Sequence, residues 1–447
     1  MGARVIFSRL DEMFQLSHCG TSVRTEVLAG ATTFLTLSYI IFVQPALLST
    51  VGMDFGAVFV ATCVASAAAT LMMAFFANYP IAVAPAMGHN FYFAFTVIVA
   101  MEVPWQVALG GVALAGLIFV LTASLGFRER LIVAIPRSLK HAIAVGIGLL
   151  IAMVGLQWTG LIVDSPGTLV ALGSLSELPV AVAIFGFIVT ATLTVRGVRG
   201  AILTGILAAS GAAWILGLTT FEGIVSAPPS IIPTLLQLDI VGALQPDMVP
   251  VVFTLFFLAL FDSVGTLVGI AERAGFMRGG TLPRARGALM ADAVGTVIGA
   301  GLGTSTVTAY IESAAGVSAG GRTGLAAVVT ALLFLVALFF LPIVSMIGGG
   351  YKTASGVTLY PIIAPVLIIV GAMMVKSVCF IDWDDTTESI PSFLTIIIMP
   401  LTVSITDGIA FGFVSYALLK LVAGRGGEVH WMIYLVATLL LARYVFL

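Results

Sequence analysis

Charge is what this sequence has least of. Only 9% of its 447 residues are Asp, Glu, Lys or Arg, and 60% are hydrophobic. A water-solvated domain usually carries about 25% charged residues, so a soluble globular protein is excluded. Cysteine is scarce too. Cys19, Cys63 and Cys379 lie far apart with no CxxC spacing, which argues against a disulfide framework and a thiolate metal site. Histidine is limited to His18, His89, His141 and His430, scattered along the chain. Neither a metal-ligand cluster nor a nucleophile–base pair is legible, so a membrane-embedded enzyme is disfavoured, and no metal, cofactor or nucleic-acid partner is expected. The first 25 residues are polar and lack a cleavable signal pattern. The first apolar span is therefore expected to insert by itself.

What the chain does have is apolar runs of bilayer-crossing length, roughly 20 residues each. Hydropathy and helix breakers place spans at 28–49, 57–78, a short 81–99, 105–126, 138–163, 178–195 and 200–217. A second series follows at 249–271, 287–302, a short 303–320, 323–347, 359–378, 389–405 and 407–423. An extra apolar stretch, 431–446, is left over. The expected fold is an all-α polytopic membrane protein with about 14 transmembrane segments.

Basic residues concentrate on the cytoplasmic side of membranes. With the N-terminus inside, all of the 19 Lys and Arg except Lys352 and the ambiguous Arg443 fall on the cytoplasmic side. That set includes Arg4, Arg128, Arg130, Arg278 and Arg425. The long outer segment 218–248 holds Glu222, Asp239 and Asp247 and no base. Even parity follows, and a multi-pass protein of the inner (cytoplasmic) membrane is expected.

The spans divide into two sets of seven, 24–217 and 249–423, with the short segment third in each. Seven is odd, so the second repeat must be inverted. Inverted repeats with interrupted segments in matching places point to a transporter's binding site. The third segment reads Ile81-Ala-Val-Ala-Pro85-Ala-Met-Gly88-His89-Asn90. Pro85 and alternating small residues favour an extended strand before a half-helix starting near Gly88. The tenth reads Gly303-Thr-Ser305-Thr306-Val-Thr308-Ala-Tyr310-Ile-Glu312-Ser313. It is again extended first and helical after. Irregular backbone survives at membrane depth only where it is buried in protein or lines a cavity. Half-helix N-termini offer free N–H groups and positive dipole ends to a ligand's acceptors.

Among the acids, Asp262 lies near the middle of 249–271, and Glu312 lies near the start of the tenth half-helix. A charge at mid-bilayer costs at least ~2.5–3.5 kcal/mol, so both read as functional. Asp292 and Asp407 read as caps or structural bonds. The amide of Asn90 offers donor and acceptor together, with a simple cap as the alternative. His89 is a lesser candidate, because neighbours on a helix point about 100° apart. Phe91, Tyr92, Phe93 and Phe95 could stack on a flat ligand, although lipid packing is the commoner use.

At these residues the sequence resembles the AzgA-like branch of the nucleobase–cation symporters, the hypoxanthine, guanine and adenine permeases. The strings that carry the resemblance run in family order. They are Arg24 to Phe34, Ala84 to Asn90, Phe261 to Thr266, Gly303 to Gly324 and Thr406 to Gly412. The resemblance implies a fourteen-span inverted-repeat fold with core and gate domains. It implies proton-coupled purine transport, with the purine held between the third, eighth and tenth spans, and a possible homodimer. Asn90, Asp262 and Glu312 match the family's binding positions. Gly88, Ser305 and Thr306 belong with them, His89 and Ser313 are accessory, and Asp262 or Glu312 would carry the coupled proton. Three departures stand out: Ala259 replaces a second aspartate, His89 replaces an apolar residue, and Ser263 replaces threonine. A transporter of another nucleobase-like or small anionic solute is the alternative. The absence of Lys and Arg at the centres of spans three, eight and ten argues against an anion.

Overall fold

The computed structural model describes residues 9–125, 136–277, 282–353 and 356–446. Arg4, Arg128, Arg130 and Arg278, used above for orientation, lie outside the described residues. The first half holds α1 (Val23–Leu37), α2 (Ile40–Ser49), α3 (Phe55–Met72), α4 (Met87–Phe91), α5 (Trp105–Leu125), α6 (Arg137–Trp158), α7 (Leu178–Val195) and α8 (Ala201–Ile215). The second holds α9 (Val249–Ala274), α10 (Ala285–Leu302), α11 (Ser313–Ser318), α12 (Gly324–Ala337), α13 (Leu341–Gly348), α14 (Ala364–Val375), α15 (Thr386–Thr402), α16 (Ile405–Val422) and α17 (Trp431–Phe446). Six short strands intervene: β1 (Val83–Pro85), β2 (Ile162–Ser165), β3 (Leu169–Leu172), β4 (Val307–Ala309), β5 (Tyr351–Lys352) and β6 (Thr358–Leu359).

Among the described residues, eight helices are long and apolar enough to cross a bilayer. Shorter apolar helices stand at Met87–Ala100, Ala201–Ile215 and Ala364–Phe380. The expected spans are therefore occupied by helix, but fewer than fourteen reach full crossing length. Two boundaries move. The span expected at 138–163 stops at Trp158, because Gly160 takes a left-handed φ of +76° and a β2–β3 hairpin follows. The span expected at 359–378 starts at Ala364, with Pro365 in its first turn, after a β5–β6 hairpin. The chain is mainly helical rather than all-α in the strict sense.

The extended pieces expected in segments three and ten pair with each other. Strands β1 and β4 run antiparallel, with Val83 opposite Ala309 and Pro85 opposite Val307. Ala86 N–H donates to the Thr306 carbonyl and Tyr310 N–H to that of Ala82, both at 2.9 Å. A two-stranded sheet inside a membrane protein leaves outer edges that no water can satisfy. Threonine hydroxyls close them. Thr70 of α3 accepts from Val83 N–H at 2.9 Å and lies 3.0 Å from the Val83 carbonyl oxygen. Thr296 of α10 stands in the same relation to Val307, at 3.3 and 2.9 Å.

Helix α12 starts on a clasp built from distant parts of the sequence. The buried Glu26 carboxylate accepts from the backbone N–H groups of Arg322, Thr323 and Ala326 at 2.9, 3.3 and 3.2 Å. Asn78, left-handed at φ 52°, accepts from Gly324 N–H at 2.6 Å. Negative charge at a helix N-terminus is favourable, so the clasp joins two of the strings that carry the family resemblance. Glu26→Ala leaves three N–H donors without a partner, each costing about 1–3 kcal/mol. We expect a lower thermal unfolding midpoint for the purified variant. An unchanged midpoint would show that the clasp adds nothing.

Packing falls into two groups. Helices α1, α3, α5, α9, α10, α11 and α12 pack mainly among themselves; α6 packs with α14 and α15, and α15 with α16. At one end of the second group, Lys420 is 2% exposed and faces Glu388, Glu428 and Asp385 at 3.0, 3.3 and 3.6 Å. Arg425 bridges Asp385 and Glu428 at 2.6 and 2.9 Å. The Thr387 hydroxyl and then the Arg425 guanidinium hold the Asp385 carboxyl well below the usual carboxylate range. Its contribution to stability is therefore full at neutral pH and is lost only as pH falls below that range.

Candidate functional site

The site forms where α9 passes the β1–β4 pair. Asp262 sits in the middle of α9 between buried residues, Leu260 and Ser263, yet is itself exposed. Gly265, one turn on, is exposed as well, with open space where a side chain would be. Residues three apart share a helix face, so this stripe of α9 is accessible. The hydroxyl of Thr308, the central residue of β4, donates to Asp262 Oδ2 at 2.8 Å.

Glu312 is the N-cap residue of α11 and is half-buried. The Tyr39 hydroxyl donates to its Oε1 at 2.9 Å. Helices α9 and α11, which carry the two acids, pack against each other. Each acid is tethered by one hydroxyl and keeps lone pairs for a ligand's N–H groups.

Asn90 is fully buried. Its amide donates to Gln44 Oε1 and accepts from the Ser305 hydroxyl. Gln44 in turn donates to Thr304 Oγ1 at 3.0 Å and Ser305 Oγ at 3.3 Å. The four side chains pin α4 to the extended stretch before β4. Asn90 keeps one N–H beyond this clasp. Gly88 lets α4 approach α6, since a β-carbon there would meet Ile147 Cγ2 at 2.8 Å.

The other expected residues divide. Ser313 Oγ accepts from Ala82 N–H at 3.0 Å, a bond within the scaffold. Thr306 is buried, with no partner for its hydroxyl among the described residues. His89 is 3% exposed and turns toward the Leu258 carbonyl, one turn before Asp262. Ala259 is 2% exposed and so does not open onto the space before Asp262. Asp292 makes the structural bond expected of it, accepting from Ala309 N–H at 3.1 Å. Asp407 lies in the first turn of α16, where its N–H donates to the capping Ser404 hydroxyl at 3.3 Å.

Three contributors escaped the sequence reading: Gln44, Tyr39 and Thr308. The signal for Gln44 was present, as an amide within the apolar run Ile40-Ile-Phe-Val-Gln44-Pro-Ala-Leu-Leu48. Only the fold reveals its partners.

Residues 24–411 match the model of Xan_ur_permease, the permease family. The chain belongs to that family. The permease is 43% identical to the adenine permease AdeP of Escherichia coli, over 98% of this chain and 96% of the relative. It is 45% identical to the guanine/hypoxanthine permease PbuG of Bacillus subtilis, over 97% of this chain and 99% of that one. It is 49% identical to the permease MJ0326 of Methanocaldococcus jannaschii, over 99% and 100%. Among solved structures, the transmembrane domain of the cyanobacterial bicarbonate transporter BicA superposes with a TM-score of 0.59 at 14% identity. That superposition covers 87% of the permease and 97% of BicA's domain. At such identity the likeness establishes a transporter fold and nothing about the solute.

Proposed function

We propose that the chain carries purine nucleobases, adenine, guanine or hypoxanthine, across the cytoplasmic membrane in symport with protons. One observation carries the reading. Two carboxylates, Asp262 and Glu312, one exposed and one half-buried, stand beside the paired half-membrane segments, each bonded to a hydroxyl. A purine presents N–H donors and ring-nitrogen acceptors in one plane. The carboxylates serve the donors, while the remaining N–H of Asn90 and the backbone N–H groups of the half-helices serve the acceptors. The named activities of AdeP and PbuG favour the same solute class.

Asp262 is assigned the coupled proton, because it is the more exposed of the two carboxylates and lies at mid-span in α9. The fourteen-segment inverted repeat is favoured by a symmetry of detail. Thr70 and Thr296 lie in corresponding spans and bracket the corresponding strand residues, Val83 and Val307, in the same way. In this reading the first packing group is the core, and α6, α14, α15 and α16 form the gate. The N-terminus lies inside, a homodimer is possible, and the solute crosses unchanged by alternating access. Asp262, Gly265 and Glu272 are the exposed residues among those described in this half of α9, so in this reading the solute reaches Asp262 from the Glu272 end, on the cytoplasmic side.

The test is uptake of labelled adenine and hypoxanthine by cells lacking their own purine transporters, with a panel of competing nucleobases. We expect saturable uptake, competed by purines and collapsed by a protonophore. Uptake indifferent to all purines would overturn the proposal. Uptake that follows sodium instead would overturn the coupling alone.

A further inference from the structure

The first membrane segment is interrupted beside the site. Helix α1 ends at Leu37 and α2 begins at Ile40. Hydroxyls crowd the approach to the break. Thr32 donates to the Leu28 carbonyl at 2.8 Å, Thr36 lies 2.8 Å from that of Thr33, and Ser38 is 3.2 Å from that of Leu35. Such back-bonding competes with the helix ladder and bends it. Tyr39 occupies the break, 1% exposed.

Both faces of Glu312 are addressed from this segment. The Tyr39 hydroxyl donates to Oε1 at 2.9 Å, and the Thr36 hydroxyl reaches the Glu312 carbonyl oxygen at 3.4 Å. The two residues are three apart, so they share a face. Further down that face α11 rests directly on α1. A β-carbon at Gly316 would lie 2.1 Å from Thr33 Oγ1 and 2.6 Å from the Ala29 carbonyl oxygen. The backbone of the half-helix and the carboxylate at its head are thus referred to one rigid stripe.

We infer that Tyr39 is a positioning residue for ligand binding, which holds the Glu312 carboxylate so that its remaining lone pairs face the N–H donors of the solute. An ionised carboxylate has about four acceptor sites. A phenol O–H on Oε1 is a charge-assisted bond. It fills one site and sets the plane of the others. Without it the carboxylate is free to rotate, and ordering it again weakens binding. The inference rests on the purine reading above, because it needs a ligand with N–H donors.

The experiment compares wild type with Tyr39→Phe, which removes only the hydroxyl. Kinetics of labelled adenine and hypoxanthine uptake are measured with the inserted amount of each protein, and thermal unfolding is measured on purified samples. We expect the KM to rise roughly tenfold with the maximal rate within about twofold, as for loss of a bond made equally throughout the cycle. A role in packing alone would lower the unfolding midpoint and leave the KM where it was. That result, or a Tyr39→Phe variant with wild-type KM and stability, overturns the inference. Wild-type protein that takes up no purine would instead overturn the functional reading, and this inference with it.

Discussion

Replacing Glu312 by glutamine is expected to abolish high-affinity purine uptake while leaving the protein folded and inserted. The amide keeps the size of the side chain and one acceptor oxygen, so the Tyr39 hydroxyl still finds a partner. What disappears is the second acceptor and the negative charge. Hydrogen bonds to charged groups contribute about 1.5–3 kcal/mol each, so uptake at low substrate concentration should fall roughly 100-fold. The check is labelled-purine uptake normalised to the amount of protein in the membrane. Wild-type uptake by a correctly inserted variant would remove Glu312 from the site.

A second large effect is expected at Asp262. In Asp262→Asn the Thr308 hydroxyl can still donate to the side-chain oxygen, so the local structure should hold. The proton site is lost. We therefore expect the variant to exchange labelled for unlabelled purine across a vesicle membrane, yet to fail to concentrate purine when a pH gradient is imposed. Concentrative uptake with the wild-type response to pH would assign the coupled proton elsewhere, with Glu312 next in line. The companion variant is Ala259→Asp, which places a buried carboxylate one turn before Asp262. Ala259 is buried, and His89 approaches the neighbouring Leu258 carbonyl. The new acid should therefore alter the pH profile or the substrate preference. If it alters neither, the alanine is incidental to function.

The features most legible in the sequence were those that break hydropathy locally. Pro85 and the hydroxylated run from Thr304 to Thr308 announced extended chain, and the strands lie there. Asp262 and Glu312 announced themselves by cost, since a lone acid in an apolar span has no cheap structural excuse. Tyr39 and Gln44 stayed hidden for the opposite reason. A phenol or an amide in an apolar helix is inexpensive once bonded, and the partners Glu312, Thr304 and Ser305 lie more than 250 residues away in sequence. Asn90 was singled out by its chemistry, but its clasp to Gln44 and Ser305 was not legible, because sequence alone cannot say which polar groups turn toward each other. The hairpins at 162–172 and 351–359 were missed, and only their edge residues Ile162, Val163 and Leu359 were counted into neighbouring spans, since these read as apolar in either conformation.

The pairing of β1 with β4 decides how the binding site can move. The strands are bonded to each other, their edges are closed by Thr70 and Thr296, and further bonds run from Ser305 to Asn90 and from Tyr310 to the Pro85 carbonyl. Parting the half-helices like tweezers would break the strand-to-strand, Ser305–Asn90 and Tyr310–Pro85 bonds at a depth where water is not there to replace them. Slipping one strand by a residue would turn every side chain to the opposite side. The two half-helices are thus the two halves of one stiff jaw. In the transport cycle proposed above, opening and closing would fall at its outer boundary, between the jaw and α6 with its companions.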